Sequence, residues 1–290
     1  MKLKLRLVLK MTEEIKEEPV IEPEEEEKIE VEKETIEVPK EEAVVEEPAV
    51  SKELEGWKPK TSIGKKVKSG EIKDIDEILN EGLKIMEPQI TDMLLPGLQK
   101  DLLLIGQSKG KFGGGSRRIF KQTQKKTPEG NNPSFACFAV VGNEDGYVGG
   151  GAGKSKDTVP AREKAVRNAK LNVFKIRRGC GSWECGCKTP HSIPFEVEGK
   201  CGSVVVKLMP APKGKGLCIE PECAKILKLA GIKDVWSKTF GQTKVKTNLV
   251  KACMKALHEL MKVKVHSSRY AALGIAEGKA TEKKIEGENE

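Results

Sequence analysis

Residues 11–55 carry 19 acidic side chains against 5 lysines, dotted with valine and proline. This stretch constrains folding more than any other feature, because it offers too little apolar surface to offset the entropy lost on ordering. Residues 1–55 are therefore expected to form a disordered acidic extension, and any core must be built from the rest. The same stretch unbalances the charge. The chain totals +8, with +4 in the first ten residues and −14 in residues 11–55, which leaves +18 on residues 56–290. Many of those cations sit in glycine-rich loops instead of alternating with carboxylates along helices. Such a surplus points to a polyanionic partner, since Lys and Arg near phosphates gain by releasing condensed counterions. Nucleic acid is the expected partner. The acidic extension then has two readings: it shields the basic body from wrong RNA contacts, or it is an inert solvated tail.

Residues 1–10 alternate charge with leucine or valine and contain no signal-peptide core, and nowhere do about 18 apolar residues run together. A cytoplasmic protein without membrane contact is expected. In that compartment eight cysteines read as free thiols or metal ligands, not disulfides.

From Trp57 the composition changes. Residues 56–97 read as a leader with one short helix, in which Ile75, Ile78, Leu79 and Leu83 share a face before Pro88 stops the pattern. Strands are expected at 102–105 and 117–125, and the nearly continuous apolar run 135–141 reads as a buried strand. After a turn at 142–146, Tyr147 and Val148 resume the sheet. Asp157 or Thr158 caps a helix with Pro160 in its first turn. Ala165, Val166, Ala169 and Val173 form its core face, and Arg162, Lys164, Arg167 and Lys170 its outer one. A second module follows a Cys-rich connector, with paired strands at 195–197 and 204–208, helices at 223–229 and 249–261, and a strand at 235–237. Val204, Val206, Leu227 and Leu257 are its expected scaffold. The expected division is a domain at 98–178, the connector at 179–192, an α+β domain at 193–263 and a flexible tail at 264–290.

Three motifs carry chemistry. Gly149, Gly150, Gly151, Ala152, Gly153 and Lys154 suggest phosphate binding, but a P-loop needs glycine where Val148 stands, and no G-x-G-x-x-G is present. The preferred reading is contact with an RNA backbone, with charge from Lys154 and Lys156 and a helix N-terminus behind them; the plainer one is a sheet-to-helix turn. Lys109, Lys111, Arg117, Arg118, Lys121, Lys125 and Lys126 surround Gly110 and residues 113–115. They form a basic loop and strand of the kind that folds against structured RNA. Cys180, Cys185, Cys187 and His191 could bind one structural zinc, although Cys185-x-Cys187 is tighter than the usual spacing, and reduced thiols remain the other reading. Neither H-x-E nor P-C-x-x-C is present, which argues against a zinc deaminase. His258 and His266 have no recognisable nucleophile partner. No enzyme and no small-molecule substrate are expected.

Three blocks in order, FACFAVVGNEDGYVGGGAGKSKDTVPAREKAVRNAKLNV, RRGCGSWECGCKTPHSIPFEVEGKCGSVVVKLMPAPKGKG and LAGIKDVWSKTFGQTKVKTNLVKA, resemble the family of small-subunit ribosomal protein five in its archaeal form. The resemblance spans about residues 57–263. It implies an α+β fold in which a module like a double-stranded-RNA-binding domain precedes a β-α-β-α module with a left-handed crossover. It implies a structural constituent at the back and neck of the small subunit that supports translational accuracy. The implied partners are small-subunit ribosomal RNA and ribosomal proteins four and eight. The family's loop toward the decoding region carries over to Lys109 through Arg118 and to Lys126, with extra length at 106–115 and 127–133. Bacterial relatives lack the Cys180–His191 cluster. The expected RNA-binding set is completed by Arg162, Arg167, Arg177, Arg178, Lys213 and Lys215. A free-standing double-stranded-RNA chaperone or maturation factor is the runner-up, and a zinc-dependent enzyme the third reading.

Overall fold

A computed structural model of the chain describes residues 56–108 and 115–278. The acidic extension, Lys109, Lys111 and residues 279–290 lie outside the described residues.

The central sheet owes its strength to one long strand. β1 (Gln99–Leu102), β2 (Lys121–Thr127), β3 (Gly130–Gly142), β4 (Tyr147–Ser155) and β5 (Val173–Lys175) form an antiparallel sheet in the order β1-β3-β4-β5. The first half of β3 pairs with β2 and its second half with β1, both along the same edge. Phe135 lies opposite Ser155 and Gly142 opposite Val148, which fixes the register with β4. Beyond the core, β2 and the start of β3 run on as an exposed two-stranded ribbon.

Both faces of the sheet are covered, which explains the unbroken apolar run in β3. Cys137, Ala139 and Val141 face α4 (Thr158–Leu171), with Tyr147 and three glycines beside them. Phe138, Val140 and Val148 face the second module and belong to its core. The glycines of β4 are thus not a loop: they let α4 lie directly on the strand. A Cβ on Gly151 would stand 2.2 Å from the backbone nitrogen of Ala169, and one on Gly153 would stand 2.2 Å from the carbonyl oxygen of Ala161. Ala161, Ala165 and Ala169, all fully buried, form the matching helix face. Ala161 is a core residue that periodicity passed over, and Val166 is only half-buried. Lys170, expected to point outward, is instead buried in a 2.5 Å ion pair with Asp92.

The leader adds three short helices to that layer: α1 (Ser62–Ser69), α2 (Ile75–Asn80) and α3 (Pro88–Leu94). The expected helix ends at Asn80, and Leu83 is exposed beyond it. Pro88 opens the next helix, where its missing N–H costs nothing. Glu87 ties the leader together, accepting from the Trp57 indole at 2.8 Å and from the N–H groups of Lys60 and Thr61 at 2.9 and 2.7 Å. Burial raises the proton affinity of this carboxylate, but these bonds outweigh it and hold its pKa below the usual value. Trp57, Val67, Ile75, Ile78, Ile85 and Ile90 enter one cluster with the sheet and α4, so the leader is part of the folded body.

β6 (Arg177–Arg178) leads into the connector. The second module holds β7 (Val197–Cys201), β8 (Val204–Pro210), β9 (Leu217–Cys218), α5 (Pro221–Leu229), β10 (Val235–Phe240) and α6 (Lys246–Lys262). Its sheet runs β7-β8-β10-β9, antiparallel except for β9 and β10, which are parallel and joined through α5. Val204, Val206, Leu227 and Leu257 are fully buried in its core, as their spacing implied. The chain beyond Lys264 is not a loose tail over its described part. α7 (Ser267–Leu273) and β11 (Ala276–Glu277) return to the connector, and β11 pairs with β6.

Candidate nucleic-acid interface

The ribbon sets its cations by register. Ala136 of β3 lies between Lys121 of β2 and Lys154 of β4, so both lysines project from one face, with their Cα atoms roughly 10 Å apart. Lys125 follows on the same face at period two, and Lys126 points from the other. All four are exposed. At the ribbon's base Ser108 bridges Arg117, and the Gly106 N–H donates to the Arg118 carbonyl at 2.8 Å. These contacts flank residues 109–114, which lie outside the described residues. Arg118 is exposed and Arg117 half-buried. They line a groove of about 370 Å³ with Lys121 and, across it, Lys244 and Lys246 at the start of α6.

A second basic surface is separate from the first. Arg162 and Arg167 stand exposed on the outer face of α4, in a depression of about 840 Å³ shared with Lys58 and Lys60 of the leader and Lys100 of β1. Lys156 is exposed between β4 and α4, where Asp157, the N-cap of α4, makes no side-chain capping bond. Lys213 and Lys215 are exposed in the loop between β8 and β9.

Arg177 and Arg178 do not belong to any such surface. Both are buried. Arg177 donates through Nε to Glu277 at 2.6 Å and through Nη1 to the carbonyls of Leu260 and Val263, while Arg178 donates to the carbonyls of Glu144 and Gly278, each at 3.2 Å. Burial lowers the pKa of Arg178, with Asp145 and Tyr147 opposing it. These bonds close the fold, with Arg178 Nε left buried without a partner, and they keep both guanidiniums away from the exposed basic surfaces.

The connector gathers Cys180, Cys185, Cys187 and His191 so that their four donor atoms all lie within 4.8 Å of one another. Cys185 Sγ stands 3.8 Å from His191 Nε2. Tetrahedral zinc with Zn–S bonds of about 2.3 Å separates its ligand atoms by about 3.8 Å, so the set fits a metal ion. The cluster is also backed by a residue the sequence reading missed. Asp234 Oδ2 lies 2.8 Å from His191 Nδ1, which leaves Nε2 turned toward the cysteines. Only the fold reveals this partner, 43 residues away along the chain. Burial and the neighbouring thiols push Cys180 up to about 11, whereas hydrogen bonding from Thr189 brings Cys187 down to about 6. The other cysteines do not join: Cys223, raised by the adjacent Cys253 thiol and by burial, lies in the core, and all eight cysteines are free.

The remaining histidines have structural places. The His258 ring packs on Phe174 with centroids 5.3 Å apart, and His266 is the exposed cap of α7. A scaffold packed on both faces of its sheet and ringed by cationic strands and loops has the architecture of a nucleic-acid-binding protein.

Two family models match, described as ribosomal protein S5, N-terminal domain, over residues 119–177 and ribosomal protein S5, C-terminal domain, over residues 199–269. The chain belongs to the ribosomal protein S5 family. It is 50% identical over 225 residues to a relative from Nanoarchaeum equitans, covering 78% of this chain and 96% of the relative. A relative from Methanocaldococcus jannaschii is 45% identical over 226 residues, covering 78% and 97%. One from Staphylothermus marinus is 48% identical over 215 residues, covering 74% and 94%. Each is named small ribosomal subunit protein uS5. The chain is thus non-enzymatic, and no described helix is long and apolar enough to cross a membrane. The cysteine cluster falls between the two matched segments.

Proposed function

We propose that this chain is a structural constituent of the small ribosomal subunit, bound to its ribosomal RNA through the ribbon, the basic groove and the loop bearing Lys213 and Lys215. The observation that carries this reading is the register that sets Lys121 and Lys125 of β2 and Lys154 of β4 on one face, on either side of β3. Phosphates of folded RNA meet fixed charges there, and shape and backbone contacts dominate recognition of such RNA. Lys126, on the other face of the ribbon, and Lys109 and Lys111, which lie outside the described residues, are further RNA contacts in this reading. The curated relatives give the free-standing chaperone no support, since each bears the name of a subunit component.

The finer reading has four parts. Residues 98–178 act as a double-stranded-RNA-binding-like module, and the β9-α5-β10 connection is the left-handed crossover. Residues 1–55, which lie outside the described residues, make up the acidic extension. The protein sits at the body and neck against ribosomal proteins four and eight and supports translational accuracy. The cluster holds one zinc ion, a reading supported by its sulfur and imidazole donors and by Asp234 behind His191. Cys180, Cys185, Cys187 and His191 would ligate it, and the ion would supply a cross-link for a connector with little apolar core. Chemical cross-linking of purified subunits tests the placement. Links from this chain to proteins four and eight are expected, and links to large-subunit proteins alone would contradict it. Elemental analysis should find one zinc per chain; none would leave reduced thiols.

A further inference from the structure

The turn between Cys180 and Cys185 carries the most exposed large apolar side chain among the described residues. Trp183 is 89% exposed, whereas Trp57 is 8% exposed. Its backbone is held in place. The Cys185 N–H donates to the Ser182 carbonyl at 3.3 Å and the Glu184 N–H to the Ser182 hydroxyl at 3.4 Å. Cluster donors stand on both sides of the turn. An indole on a pinned turn has already lost much of the freedom that binding would remove, and it offers two flat faces to a partner.

Its setting is cationic. Asp234, which holds His191, also accepts from the Gly216 N–H at 2.8 Å, at the base of the loop with Lys213 and Lys215. Lys188 within the cluster and Lys233 beside Asp234 are exposed too, against the single carboxylate of Glu184 in the turn. None of the other exposed large apolar residues lies in the connector. A protein hot spot needs close-packed neighbours around its anchor to exclude water. Stacking on a base needs only a flat face and nearby positive charge. We propose that Trp183 is a stacking platform for an unpaired base of ribosomal RNA, with Lys213 and Lys215 on the adjoining phosphates. This rests on the RNA partner and the metal staple proposed above.

The test uses the full chain in subunits purified from cells. Photoreactive benzoylphenylalanine is placed at position 183 and, for comparison, at Met86, another exposed apolar position. RNA cross-linking from position 183 should exceed that from position 86 by about tenfold, the scale set by one stacked base. Dimethyl sulfate reactivity of the cross-linked nucleotide should rise by a similar factor in Trp183→Ala and return toward its starting level in Trp183→Phe, with zinc content equal in all three. Cross-linking to a protein, or no excess over position 86, would overturn the proposal. So would a Trp183→Phe variant as reactive as Trp183→Ala. Absence of the unmodified chain from subunits would overturn the parent reading and this one with it.

Discussion

Gly151 shows how little freedom single positions have. The side chain of Gly151→Val would enter the backbone of α4, where a Cβ already stands 2.2 Å from Ala169. Overpacking of that kind costs about 3 kcal/mol, or a melting temperature lower by roughly 6–12 °C in a chain of this size. Thermal melts check this, and an unchanged midpoint would return the glycines to a phosphate-contact role. At Asp234 the expected effect is on metal and not on fold. Asp234→Asn keeps an acceptor for Gly216 but weakens the hold on His191, and zinc affinity should fall about tenfold to a hundredfold. Competition with a chelator measures it. Spacing gives the glycine run the same pattern for a phosphate loop and for a strand under a close helix; only the facing alanines show the strand. Asp234 was invisible for a different reason, since its partner comes from folding alone. Cys180, Cys185, Cys187 and His191, by contrast, lie within one connector, where sequence proximity is already spatial proximity.

Among the elements, the β2–β3 ribbon and the β6–β11 pair behave oppositely. The ribbon packs little, so Lys121→Ala, Lys125→Ala and Lys154→Ala together should leave stability unchanged. Each phosphate contact removed should flatten the log–log dependence of RNA affinity on salt by about one, or about three for the triple variant. Filter binding to small-subunit RNA at several salt concentrations reads this, and an unaltered slope would remove the ribbon from the interface. The β6–β11 pair instead closes the body through charge. Burial raises the proton affinity of Glu277, but hydrogen bonds from Arg177 and Tyr270 outweigh it and hold its pKa below 4.5. A carboxylate lowered on folding contributes stability that is complete above the unfolded value and lost as pH falls through the folded one. Stability should therefore drop on acidification below about 4.5, and Glu277→Gln should flatten that part of the pH profile. Melts across pH 3 to 6, approximately the carboxylate range, decide it. Periodicity could find the cores of β3, α4 and α6. It could not find β11, a two-residue strand whose partners are arginines that the sequence presented as surface cations.

Over the whole molecule, charge segregation was legible from composition, and the order of the modules from motif order. The division of the body was less so. The sequence suggests separate modules joined by a connector. In the fold, Leu103, Ile105, Phe138, Val140 and Val148 enter the core of the second module, so one face of the first sheet serves both. Strand periodicity marks which residues face inward but not which layer they meet. The shared core gives the basic surfaces a fixed relation to one another, as a component built into a folded RNA requires. The most direct test is sedimentation of cell lysate through gradients of rising salt, following this chain beside small-subunit RNA. The account predicts one copy per small subunit, retained at high salt. Early release into light fractions, with binding to many unrelated duplexes, would contradict it.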